Sequence, residues 1–139
     1  MPLALVDLPS ALQQIKEPEI RKATRSLLVD EVKHSRLGWA YLTWARRKGV
    51  GEDLGSQIAR LFWEAIPSDL FVDGPPHPEA EVLLTVGDPS IPERRALFFK
   101  TTTEVIIPGL EANGVSTEGV RQWLASPTWP SGEVGSSYR

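Results

Sequence analysis

A chain of 139 residues, 41% apolar and 24% charged, is one domain, long enough to bury its own core without covalent staples. It has no cysteine, which excludes disulfides, iron–sulfur clusters and thiol chemistry. The net charge of −3 is unevenly placed, with nine Lys/Arg against five Asp/Glu in residues 1–50 and six against thirteen in residues 51–139. No aromatic-interleaved basic stripe accompanies this asymmetry, so it reads as a solvated helix face and not as a nucleic-acid surface.

At the N-terminus, "MPLALVDLPS" lacks a basic region and a long apolar run, so it does not read as a secretory signal. Nowhere does an apolar stretch approach the ~20 residues of a membrane span, and the expected location is the cytoplasm. "LPSALQQIKE" reads as a short helix or turn with Ser10 as its cap. The run from Glu17 to Gly49 carries the marks of one long helix. Pro18 sits in the first turn between Glu17 and Glu19, Arg46, Arg47 and Lys48 fill the last turn, and Gly49 follows. Some 30 residues at 1.5 Å each make it about 45 Å long.

"EDLGSQIARLFWEAI" is a second helix, stopped by Pro67. From Pro67 to Pro92 six prolines and sparse periodicity predict an extended connector packed over the helices, with "EVLLTV" a short strand or an apolar contact run. A third long helix begins at Pro92 and closes at Gly114. Its internal Pro108 removes the amide that would bond the carbonyl of residue 104, so a kink is expected beside Glu104. "STEGVRQWLAS" is a last short helix with Ser116 as cap, and residues 127–139 read as a loose tail. The expected fold is all-α in residues 1–126, with the connector at 67–92.

Stepping along the long helix in fours and threes gives Leu27, Glu31, His34, Gly38, Tyr41 and Ala45, a heptad-like seam that should face a partner helix. Glu31 and His34 fall side by side on it. A buried carboxylate and imidazole must be paired, neutralised or metal-bound, because an unpaired one costs several kcal/mol. Their Glu-x-x-His spacing is the one that projects two ligands inward in di-iron carboxylate bundles. Glu104, among Phe98, Phe99, Val105, Ile106 and Ile107, is a third candidate metal ligand, the alternative being a half-exposed carboxylate of an amphipathic helix. His77, between prolines in "GPPHPE", reads as a surface histidine. There is no phosphate-binding loop and no nucleophile elbow.

The stretch "LLVDEVKHSRLGWAYLTW" resembles the second Glu-x-x-His helix of bacterial ferritin-like di-iron proteins, and "ERRALFFKTTTEVIIPGLEANGVSTEGVRQWLA" resembles the C-terminal segment of some longer members. The resemblance spans roughly Glu17 to Ala125. It implies a ferritin-like helical bundle, iron or another divalent metal as cofactor, and Glu31 and His34 as ligands. It also implies oxygen-dependent oxidation at a metal pair, if the chain is catalytic. The departure is plain: one Glu-x-x-His helix is present where a complete bundle needs two, together with two further Glu-bearing helices. The expectation is therefore a half bundle, completed by a second copy of the chain in a homodimer or by a missing N-terminal half. A metal-free helical scaffold or interaction module, or a truncated remnant of a di-iron protein, is the rival reading.

Overall fold

The computed structural model describes residues 12–50, 54–66 and 68–126. Of these, 77% are helical and none is in a strand, so the all-α class holds. Among the described residues no helix is long and apolar enough to cross a membrane. Ser10, Glu52, Asp53, Pro67 and the tail 127–139, on which several expectations fell, lie outside the described residues.

Helix α1 spans Pro18–Lys48, with Pro at its start and Glu19 in the first turn. At its end Gly49 adopts a left-handed φ of 69°, a conformation that costs a side-chain-bearing residue but not glycine. The Gly49 amide donates to the Arg46 carbonyl (3.2 Å) and the Val50 amide to that of Ala45 (3.1 Å), closing the helix with a double-bonded cap. The ends of this helix follow directly from the residues placed there.

Helix α2 (Leu54–Ala65) packs against the last helix, α6 (Glu118–Ala125). Gly55 makes this approach possible, since a Cβ there would stand 3.0–3.2 Å from Ser116. A 3₁₀ turn, Ser68–Phe71, carries Phe71 into an edge-to-face cluster, 5.6 Å from Phe98, 5.8 Å from Phe99 and 5.6 Å from Trp123 between ring centres. Phe62 of α2 closes the cluster at 6.3 Å from Trp123. Arg95 holds the turn in place, donating to the carbonyl of Leu70 (2.7 Å) and the carboxylate of Asp73 (2.9 Å).

The proline-rich connector is less extended than its composition suggests. "EVLLTV" forms neither a strand nor an irregular run, because Ala80–Thr85 is a six-residue helix, α3. Beyond it Gly87 turns with φ 87°, directly against Ile15, which is 1% exposed. The segment entering α1 is thereby fastened to the connector, with the Lys16 amide donating to the Thr85 carbonyl at 3.2 Å.

Helix α4 (Ile91–Thr101) opens with a reciprocal cap: the Ser90 amide donates to Glu93 (2.8 Å) and the Glu93 amide to the Ser90 hydroxyl (3.4 Å). The interruption expected from Pro108 takes the form of a π-helical segment, Thr102–Ile106, followed by α5 (Ile107–Ala112). In it the Ile107 amide reaches back to the Thr102 carbonyl, five residues away. Gly114, at φ 76°, closes α5 as expected. The cap of α6 differs from the expectation: Thr117, not Ser116, stands at the N-cap and makes no capping bond. Its hydroxyl donates instead to Glu111 (2.5 Å), and that bond, followed by those from Arg121, holds the Glu111 carboxyl below its usual range.

The core is formed by Ile107, Leu110, Val115, Val120 and Trp123. Thr102 is fully buried within it, and its hydroxyl has no hydrogen-bond partner. A buried hydroxyl without a partner costs about 1–3 kcal/mol. Thr102→Val, which keeps the shape and removes the polar atom, is therefore expected to raise stability by about 1 kcal/mol. Thermal unfolding of the two proteins checks this, and a loss of stability would show that the hydroxyl is satisfied in solution.

Candidate functional site

Glu31 and His34 stand one turn apart on the same face of α1, as the spacing requires, but that face is open to solvent. Along it Leu27 is 66% exposed, Leu37 71% and Tyr41 58%, and both Glu31 and His34 are exposed. Gly38 has nothing within 4 Å on its side-chain side, so among the described residues no other helix touches it. Of the seam only Ala45 is buried, and it is the one buried residue among the 31 of α1.

The expectation that the seam faces a partner helix is thus corrected within the chain. A different face is packed: Leu28, Val32, Ser35, Trp39 and Leu42 are half-buried, and the fastening comes mainly from the C-terminal half. The Trp39 ring lies directly over Gly109, where a Cβ would come within 2.4 Å of it. The Thr43 hydroxyl lies 3.0 Å from Asn113 Oδ1, and Arg46 donates to the Ala112 carbonyl at 2.6 Å. Near the other end Arg21 donates to the Ile15 carbonyl.

Electrostatically the open face is mixed. Asp30 pairs with Lys33 at 2.9 Å. That hydrogen bond, then the Lys33 charge, holds the Asp30 carboxyl below its ordinary value, and the nearby His34 acts in the same direction. Tyr41 stacks on Trp44, with ring centres 5.7 Å apart and planes tilted by 32°. Trp44 and Leu37 belong to the same open face but are absent from the seam as first counted. Their signal is in the sequence: Leu27, His34 and Tyr41 recur every seven residues, and so do Asp30, Leu37 and Trp44.

Glu104 is exposed on the π segment, a different element from the one that carries Glu31 and His34. Among the described residues no three His, Cys, Asp or Glu side chains come together in a group that could hold a metal ion. Of the three candidate ligands, the described residues bring only Glu31 and His34 side by side, on an open helix face. An apolar open groove of ≈ 280 Å³, lined by Arg94, Leu97, Phe98, Thr101, Thr102 and Ile106, includes none of the candidate ligands. His77 is exposed on the connector, its Nδ1 accepting from the Glu79 amide at 3.1 Å. Comparison with protein families, with curated proteins and with solved structures returns no match.

Proposed function

We infer that this is a ferritin-like helical protein whose α1 contributes Glu31 and His34 to a metal site, with iron the leading candidate, completed from outside the chain by a second copy or by a separate N-terminal half. The observation that supports this reading is the open face of α1, where a carboxylate and an imidazole at ligand spacing sit amid large apolar side chains left in water. A helix face of that composition is suited to burial against another helix, and a carboxylate and an imidazole buried there would be ligated or paired. The two side chains alone do not fit a complete centre, so no redox step is assigned to them. Oxidase chemistry would require the remaining ligands.

Metal analysis tests the reading. Protein grown with iron and purified without chelator is expected to carry metal, and His34→Ala is expected to lose most of it while keeping its helical circular dichroism. Metal near zero in both would sink the proposal. That result would leave the second reading, a metal-free helical interaction module, which the exposed Leu27, Leu37, Tyr41 and Trp44 on α1 support.

A further inference from the structure

We propose that the open face of α1 pairs with the same face of a second copy, antiparallel, about a two-fold axis that passes between the two helices at the level of Val32. The inference deepens the functional reading by naming the partner. Its metal part rests on that reading, and the pairing itself does not.

The exposed side chains recur at the two positions that meet in a helix pair: Ile20, Leu27, His34 and Tyr41 at one, Ala23, Asp30, Leu37 and Trp44 at the other. All except the half-buried Ile20 are exposed. The packed face, with Leu28, Val32, Ser35, Trp39 and Leu42, points elsewhere, so the other described residues leave this face open to a second helix. In an antiparallel pair each residue of the first set meets one of the second. Centred on Val32, this register sets Leu27 against Leu37, Asp30 against His34, the small Ala23 against the large Tyr41, and Ile20 against Trp44, each pair occurring twice.

Sliding by one heptad in either direction breaks the match. In one direction Leu27 meets Asp30, and in the other His34 meets Leu37. The flanks favour the same register. Glu19 in the first turn of one helix comes beside Arg47 in the last turn of the other, and an antiparallel pair closes charges in this way. Lys33 meets its own copy near the axis, but each Lys33 is already engaged by Asp30 at 2.9 Å.

Leu27, Leu37, Tyr41 and Trp44 together leave on the order of 400 Å² of apolar side chain in water, a patch of the size that marks an interaction site. In the matched register the helices overlap over about 43 Å, and a strip about 11 Å wide buries about 1,000 Å² over the two chains, the lower end for a specific interface. The same register places Glu31 and His34 of both copies within about 3 Å of the axis crossing, measured along the helix. Two carboxylates and two imidazoles then gather from two chains, each of which supplies only half.

Because the chain has no cysteine, introduced thiols report the pairing without background. Leu27→Cys and Leu37→Cys proteins, mixed and oxidised in the presence of chelator, are expected to cross-link to each other and neither to itself. In sedimentation, Arg47→Glu is expected to weaken association about tenfold, and Glu19→Arg together with Arg47→Glu to recover it. Self-cross-linking of each single variant would overturn the register. So would a monomer at micromolar concentrations with no cross-link, which would assign the face to a different polypeptide. Chelator keeps this outcome separate from the metal reading, since the pair should form without metal whether or not the purified protein carries any.

Discussion

Truncation of Trp123 to alanine is expected to cost about 3–5 kcal/mol, the range for a buried large aromatic, out of a total stability of about 5–15 kcal/mol for a domain of this size. Trp123 is 6% exposed and touches rings from three separate elements: Phe62 on α2, Phe71 on the 3₁₀ turn and Phe98 on α4. Removing the indole takes away the surface by which α6 docks, and leaves a cavity that three stiff aromatic neighbours cannot collapse to fill. Chemical denaturation followed by circular dichroism measures the loss. Trp123→Phe, which keeps a ring in the cluster, should recover more than half of it. A cost below about 1 kcal/mol for the alanine variant would show that these rings are not the joint between the elements.

The second large effect is expected at Gly109. In the middle of a helix alanine is worth about 1 kcal/mol more than glycine, so Gly109→Ala would normally stabilise. Here the added methyl would lie 2.4 and 2.6 Å from two carbons of the Trp39 ring. An indole cannot bend out of the way as a flexible chain end does, so α1 must shift, at an expected net cost of about 2 kcal/mol. The cause can be isolated. In a Trp39→Leu background the same Gly109→Ala change should become neutral or stabilising, a reversal of sign that only direct coupling produces. If Gly109→Ala stabilises the unaltered protein, Trp39 does not rest on that helix.

The sequence shows the ends of α1 clearly, and its open face only in part. Pro18, the basic last turn and Gly49 each act locally, through φ restriction, the helix dipole and a left-handed cap, so a linear reading finds them. Which face turns inward is a different kind of question, since α1 carries two apolar stripes. One contains Leu28, Val32, Trp39 and Leu42, the other Leu27, Leu37, Tyr41 and Trp44. Periodicity detects both and cannot rank them. What ranks them is Gly109 and Asn113, some 70 residues further along, which receive Trp39 and Thr43. That Glu31 and His34 share a face was legible from their spacing. That Glu104 stands apart from them was not, because their relation depends on the tertiary path between two helices. "EVLLTV" was ambiguous for a plainer reason: six residues are too few to show a period.

A π turn contains one residue more than the α-helical turn it replaces, so Thr102–Ile106 amounts to a one-residue insertion built into a helix that runs from Ile91 to Ala112. Deleting one residue there would restore the ordinary winding and leave α5 at nearly its present phase relative to α4, because an α turn completes the same rotation with one residue fewer. Gly109 would stay under Trp39 and Asn113 beside Thr43, whereas the same deletion elsewhere between Ile91 and Gly109 would turn both away by about 100°. The segment is therefore the place in this helix where the chain can lose a residue and keep the fastening of α1. A descendant that keeps α1 seated on α5 can carry one residue fewer between Ile91 and Gly109, provided the loss falls within Thr102–Ile106.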